Sequence, residues 1–377
     1  MKIKFNFLSI LLIILFLTVQ KSDAQDELLF RRHVINSGWN GLLYGIAFDV
    51  IAEVDGAAIA GIPVITAGTS ILVPILRNPD RSIDYDALVL SIHGKTLGWA
   101  HGVALATLIG GEEAFDSYNS NNYKFTIGAG AATSIGMGIL GSSLGKNNDW
   151  TEGQVELYRL YGWLMPFAGL SLMASFSEEP RLYGASVLVF GAGGYLIGDR
   201  INNWYDYTRG EVRATQVLTL LNLGLGFGIL AETEMEEVHN PYWMIPAGIA
   251  IAGTMVGHKW LQNTNLTPQQ GMLTAYAACG GVVLGLGIAL LIESDVPTPY
   301  YLIPYATGLG AYGYTVERLR RKNNSQDFLN NIKGKNNFNL TLMPQNLFLN
   351  NRINDKGYMV EGSPVGLQPL FTATVRF

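Results

Sequence analysis

A helix-start signal recurs along the chain at nearly constant spacing. Three copies, 57 and 59 residues apart, join a Thr to a Gln or Glu three positions later: Thr151 with Gln154, Thr208 with Glu211, and Thr267 with Gln270. This pattern is a capping box, in which the Thr oxygen caps the N3 amide and the Gln or Glu reaches back to the N-cap amide. A looser copy, Asp84-Tyr85-Asp86, precedes them. Each signal opens a long, apolar, Gly-rich run, so the sequence predicts an array of similar helical units with these Thr residues as N-caps.

Composition favours a bilayer as the solvent of this array. Charged residues make up 15% of the chain, against roughly 25% in a typical soluble domain. Glycine accounts for 44 of the 377 residues, and the mean hydropathy is +0.21. Low charge combined with long apolar runs is typical of membrane proteins. The net charge of −5, without a basic stripe, argues against nucleic acid as a partner.

Residues 1–24 have the pattern of a secretory signal peptide. Lys2 and Lys4 precede an apolar run over 5–19, and small residues that end at Ala24 predict cleavage after that position. An uncleaved signal anchor is the alternative. In both cases the chain is expected to enter the export pathway and to reach the cell envelope rather than the cytoplasm.

Residues 25–322 are predicted to form a mainly α domain, a membrane-type bundle of about five Gly-rich antiparallel helical hairpins. The predicted pairs are 33–51 with 56–76, 86–110 with 125–144, 152–175 with 182–201, 209–231 with 243–261, and 268–292 with 300–321. Most of these runs match the roughly 30 Å of hydrocarbon that a helix of about 20 residues crosses. Within them, 124–141 is ambiguous between helix and strand.

Small residues recur at spacing four, which places them on one face of each helix. The glycines predicted to pack helices together are Gly94, Gly98, Gly102, Gly224, Gly228, Gly281 and Gly285. A mid-helix glycine costs about 1 kcal/mol relative to Ala in water. Close approach of helix backbones in a membrane is the usual gain. Tight packing in a soluble helical array is the alternative.

The turns sort by charge, because turns within hairpins are acidic and turns between hairpins are basic or Asn-rich. The bundle is therefore expected to have one acidic and one basic end and a fixed orientation. The basic end carries the N-terminus, which lies outside the cytoplasm if the signal is removed. That is opposite to the positive-inside rule for an inner-membrane protein. An outer membrane, or a membrane facing the periplasm, is therefore favoured.

The C-terminal region is predicted to differ from the bundle. Residues 323–337 have the composition of a polar linker, and 338–377 of a β-type tail with a short β-hairpin. Apolar and polar residues alternate up to the final Phe377, and this ending resembles the terminal strand of outer-membrane β-barrel proteins. Two strands cannot close a barrel. The strands are therefore expected either to fold onto the helices or to pair with another chain.

Polar residues inside the apolar runs are the candidates for a functional site. They are His93, Lys95, His101 and Asp49. An ionisable group within a spanning helix is a functional hypothesis by default, although side chains near helix ends can snorkel to water. Glu156 and Arg159, three residues apart, are predicted to form a local ion pair. The single cysteine, Cys279, is predicted to be a buried structural thiol.

Motifs of enzymes, metal sites and cofactor sites are missing from the sequence, so no catalytic residue, metal ligand or cofactor is predicted. The sequence favours a non-catalytic, multi-helix membrane protein of the cell envelope, acting as a structural or assembly subunit or as a pore wall. Membrane lipid, other envelope proteins and further copies of the chain are the expected partners. The alternatives are a soluble periplasmic helical-repeat interaction module and a transporter or channel that uses the buried His and Asp residues.

Overall fold

The structure, a computed structural model of the whole chain, describes residues 25–77, 84–115, 121–233, 240–335, 337–342 and 371–376. The predicted signal peptide, residues 1–24, lies outside the described residues. Those described are mainly helical, which confirms the prediction of a mainly α fold. The ambiguous stretch 124–141 is helix.

Ten α-helices lie in the described ranges, in addition to two short 3₁₀ helices at Gly111–Phe115 and Pro241–Trp243. They are α1 (Gln25–Ala52), α2 (Ala58–Arg77), α3 (Tyr85–Gly110), α4 (Asn121–Asn147), α5 (Glu152–Ala174), α6 (Pro180–Asn202), α7 (Arg209–Glu232), α8 (Met244–Leu261), α9 (Pro268–Ile292) and α10 (Thr298–Lys335).

Each helix packs most extensively against a neighbour in the chain: α1 with α2, α3 with α4, α5 with α6, α7 with α8, and α9 with α10. Successive pairs also touch, since α3 contacts α5 and α6, and α7 contacts α5, α9 and α10. Within the second pair the helices run antiparallel, because Gly94 faces Met137 while Gly102 faces Ala129. The helices α3, α5 and α7 therefore lie between neighbours on several sides.

Glycine determines how closely α3 and α4 approach. A Cβ placed at Gly94, Gly98 or Gly102 would lie closer than 3.0 Å to backbone atoms of α4, a separation that real Cβ atoms essentially never show. Gly281 and Gly285 of α9 face α10 in the same way, at Thr307 and Pro304. Backbone-to-backbone contact of this kind leaves no room for any larger residue.

The remaining two glycines of the predicted set lie at different surfaces. A Cβ at Gly228 would meet the side chain of Tyr301, on α10. Gly224 departs from the expectation, because a Cβ there would meet no atom within 4 Å. In α7 it is Gly226 that faces the partner helix, at Pro246 of α8.

The repeated start signals stand at the N-termini of α5, α7 and α9. At Thr151, Thr208 and Thr267 both halves of the capping box are present. Thr208 has a further role, since its hydroxyl donates a hydrogen bond to the Leu266 carbonyl oxygen at 2.7 Å. The cap of α7 is thus tied to the turn that precedes α9.

Replacing the two capping residues separates these roles. Thr151→Val is expected to cost about 1 kcal/mol of unfolding free energy, the usual value for a lost N-cap. Thr208→Val is expected to cost about 2 kcal/mol, because the Leu266 carbonyl also loses its donor. Thermal unfolding of the two variants in mild detergent measures the difference. Equal losses would mean that the bond to Leu266 contributes nothing.

The chain after 322 differs from the predicted linker, because α10 continues as a helix to Lys335. The segment 323–335 holds no proline that would end a helix, and Asn323 is fixed by hydrogen bonds to Gln270 and to the Thr264 carbonyl. Two strands follow, β1 (Asn337–Leu342) and β2 (Phe371–Arg376), which pair antiparallel. The residues that join them, 343–370, lie outside the described residues.

Candidate functional site

The most concentrated group of buried charges surrounds Glu156, in the second turn of α5. Its side chain has no exposed surface. The Tyr85 hydroxyl, from α3, donates to Oε1 at 2.6 Å, and the Arg213 Nε, from α7, donates to the same oxygen at 3.3 Å. Arg159 donates to Oε2 at 2.5 Å, and Gln216 of α7 lies 3.4 Å from that oxygen. Three consecutive helix pairs therefore meet at one carboxylate.

The repeat explains why these charges meet. Glu156 stands five positions after the cap Thr151, and Arg213 stands five positions after the cap Thr208. Equivalent positions of successive units thus carry opposite charges. A second ion pair follows the same rule, because Arg209 binds Glu152 at 3.1 Å from positions one residue after each cap.

Glycine allows the two units to come close enough for these pairs. A Cβ at Gly153, in the first turn of α5, would collide with the Tyr207 carbonyl of the turn that precedes α7. Gly210 of α7 stands in the same relation to the Leu266 carbonyl. The first turn of a helix is thus pressed against the turn of the following unit.

The arginines outnumber the carboxylates in this cluster. The guanidinium of Arg209 lies 3.8 Å above the ring of Tyr85, a cation–π contact. The Nε atoms of Arg159 and Arg209 are buried and have no hydrogen-bond partner among the described residues. By contrast, both oxygens of Glu156 are occupied by donors. A carboxylate held in this way is suited to joining helices and not to accepting a proton from a substrate.

Comparisons of the chain with protein-family models, with curated proteins and with solved structures found no match. What the cluster does must therefore follow from its own geometry.

The two predicted histidines contact the α5–α6 pair at separate points. His93 Nε2 would lie 2.5 Å from a Cβ on Gly162 of α5, and it has no hydrogen-bond partner among the described residues. His101 lies against Gly191 of α6 and bonds the Leu97 carbonyl through Nδ1 at 2.8 Å. Eight residues along one helix amount to about 12 Å. The structure therefore does not bring the two rings together.

Lys95 and Asp49 lie elsewhere again. The Lys95 side chain runs across Gly138 of α4, and Asp49 is buried in α1, with Oδ1 lacking a hydrogen-bond partner in the described part of the chain. Within the same residues, no group of three or more His, Cys, Asp or Glu side chains could hold a metal ion.

The local Glu156–Arg159 pair was predicted from the sequence, whereas the contact with Tyr85 and the interhelical pairs were not. The alignment of successive units on their caps could have revealed them, because it places Glu156 over Arg213 and Glu152 over Arg209. The prediction for Cys279 is wrong, since its side chain is exposed on α9. Its apolar, Gly-rich neighbours suggested a core, but this helix turns much of its apolar surface outward.

Proposed function

We propose that the chain is a non-catalytic membrane protein of the cell envelope, built as an array of five Gly-rich antiparallel helical hairpins. Five described helices, α2, α4, α6, α7 and α9, are long and apolar enough to cross a membrane. Each comes from a different helix pair. In this proposal the array acts as a structural or assembly subunit, or as a pore wall, in contact with lipid.

One observation carries the proposal: the apolar helices do not bury their apolar surface. In the most apolar 18 residues of α2 only 11% are buried, and in α7, the most covered of the five, 33% are. In α9 the side chain of Leu291 is 85% exposed. Soluble monomers rarely expose contiguous apolar surface on this scale, whereas lipid tails are a suitable neighbour for it.

The interior supports the same proposal. The charged cluster at Glu156 and the histidines of α3 lie on α3, α5 and α7, the helices that each contact helices of neighbouring pairs. Ionisable side chains in membrane proteins face the interior of the bundle and pair with one another. A membrane that faces the periplasm, the outer membrane above all, remains our proposal for the location, with lipid, further copies of the chain or other envelope proteins as partners.

The single cysteine offers a direct test. Cys279 is exposed near the middle of α9. In opened membranes it is expected to resist a charged maleimide, because hydrocarbon excludes the charged reagent. It should react once the membrane is dissolved in SDS. Mass spectrometry of the labelled chain measures both yields.

The matched control moves the thiol to a turn. In the double variant Cys279→Ser, Asp55→Cys the thiol lies in the exposed turn between α1 and α2, and rapid labelling without detergent is expected. If Cys279 were labelled without detergent as rapidly as the thiol at position 55, or if alkaline carbonate released the chain, the soluble interaction module would be favoured instead. Separation of the inner and outer membranes on a density gradient then identifies which of them holds the chain.

A further inference from the structure

A polar cavity of about 510 Å³ lies between the first two helix pairs, α1–α2 and α3–α4. Four basic side chains line it: His33, Arg77, Lys95 and Lys146. Hydroxyl and amide groups line it as well, at Ser37, Asn40, Ser70 and Ser142. None of the described residues that line it is a carboxylate. We call this space, with its lining residues, the basic cavity.

The charges of the basic cavity are not balanced by the protein. Arg77, Lys95 and Lys146 form no ion pair with any residue that the structure describes. The arginines around Glu156 differ, since a buried carboxylate lies between them. Arg77 and Lys146 are exposed at the mouth of the cavity and Lys95 is half-buried, and like charges that face one space repel each other. A bound anion would remove this repulsion.

The basic groups are arranged by depth. Arg77 and Lys146 belong to the last turns of α2 and α4, at the end of the bundle. Lys95 is the eleventh residue of α3, about 15 Å from its start at 1.5 Å per residue. Its stem lies over Gly138, where a Cβ would be 2.5 Å from Lys95 Cγ. The glycine thus makes room for a lysine that reaches the cavity from inside the bundle.

An adjoining cavity of about 430 Å³ shares Lys95, Ser142 and Lys146 with the basic cavity. Together the two spaces continue between α3 and α4. The volume of the basic cavity alone falls within the range of roughly 300–1,000 Å³ that is usual for sites of small molecules. There is room for an anionic group and for part of the molecule that carries it.

We propose that the basic cavity binds a phosphate group. Lysine ammonium groups bind phosphate as point charges, arginine offers paired N–H donors, and the serine hydroxyls can donate to further phosphate oxygens. The phosphate is either free or part of a lipid head group. This inference goes beyond the proposed function, because it needs only the packing of α1 to α4 and not a surrounding bilayer.

The test uses the full chain, purified in a phosphate-free, non-ionic detergent. Inorganic phosphate is one probe, and phosphatidylglycerol added in mixed micelles is the other, with thermal unfolding and native mass spectrometry as readouts. At least one probe is expected to raise the unfolding temperature and to bind. Stabilisation by phosphate identifies a free anion, and stabilisation by the lipid alone identifies a head group.

Lys95→Gln is expected to weaken that binding at least tenfold. Without a probe it should unfold at the wild-type temperature or higher, because one repelling charge is gone, whereas a purely structural lysine would lower it. Lys146→Gln gives a second variant at the mouth of the cavity. Lys259→Gln, at an exposed position of α8, is the matched control and should bind like the wild type. Absence of binding to both probes, or equal binding by wild type and Lys95→Gln, would overturn the proposal.

Discussion

Gly98→Ala is expected to destabilise the protein by about 3 kcal/mol, at the upper end of the usual cost of overpacking. The added methyl group would meet backbone atoms of Ser134 and Thr133 at less than 3.0 Å, and a backbone cannot move aside as a flexible side chain can. Relief would require α3 and α4 to separate, which opens the contacts at Gly94 and Gly102 as well. Thermal unfolding in mild detergent, followed by circular dichroism, measures the loss.

The same helix pair supplies the control. A Cβ at Gly136 of α4 would meet no atom within 4 Å. Gly136→Ala is therefore expected to leave stability unchanged, or to raise it by up to about 1 kcal/mol through the better helix propensity of Ala. If both variants lost the same stability, glycine would be acting through the flexibility of the helix and not through close contact.

The largest loss is expected for Glu156→Gln. The amide keeps the shape of the side chain but removes the negative charge, and its NH₂ group would face donors from Arg159 or from Tyr85 and Arg213. Removal of one partner of a buried ion pair typically costs about 3–5 kcal/mol, because the remaining charge stays buried and uncompensated. The unfolding temperature of Glu156→Gln in mild detergent is expected to fall below that of the wild type, and thermal unfolding measures the difference.

Two further variants separate charge from shape. Glu317→Gln removes two more exposed ion pairs, with Arg320 and Arg321, for which a loss of about 0.5 kcal/mol is expected. The double variant Glu156→Gln, Arg213→Gln should recover part of the loss of Glu156→Gln, because one uncompensated charge is removed with the carboxylate. Strictly additive losses would mean that Glu156 and Arg213 do not interact.

The mainly α fold could be predicted because helix starts are local. A Thr and a Gln or Glu three positions later satisfy the first amides of a helix wherever the rest of the chain lies. The end of α10 could not be predicted in this way. The polar residues after 322 have linker composition, and the contact that stabilises the start of this stretch is tertiary, from Asn323 to Gln270 and Thr264.

The glycine stripes were harder to interpret, since a Gly-rich helix offers more than one small-residue face. In α4, small residues recur at spacing four along two faces, one through Gly128, Ala132 and Gly136 and the other through Gly130, Ser134 and Gly138. The second face contacts α3, at Trp99 and Lys95, whereas a Cβ at Gly136 would meet no atom within 4 Å. The partner helix decides between the faces, and a sequence taken one helix at a time does not contain that information.

The candidate site could be predicted in part. Glu156 and Arg159 share a helix, so spacing alone predicts their contact. Arg213 reaches the same carboxylate from 57 positions away, and Tyr85 comes from a third helix. The basic cavity was not predicted, although Lys95 was named as a candidate residue. Its lining residues lie on four helices and share no motif.

The N3 side chains of α7 and α9 form different contacts with the part of the chain that follows. In α7 the N3 residue Glu211 accepts hydrogen bonds from Thr264 and Asn265, in the turn that begins the next unit. In α9 the N3 residue Gln270 is bonded instead to Asn323. The hydrogen bonds that a turn supplies to the N3 side chain of α7 are thus supplied to the N3 side chain of α9 by one asparagine within α10. Duplication of a unit upstream of α9 could lengthen such a protein with the same contacts between units. An added unit after α10 would need the N3 side chain of α9 for its own turn, so Asn323 would first have to be replaced.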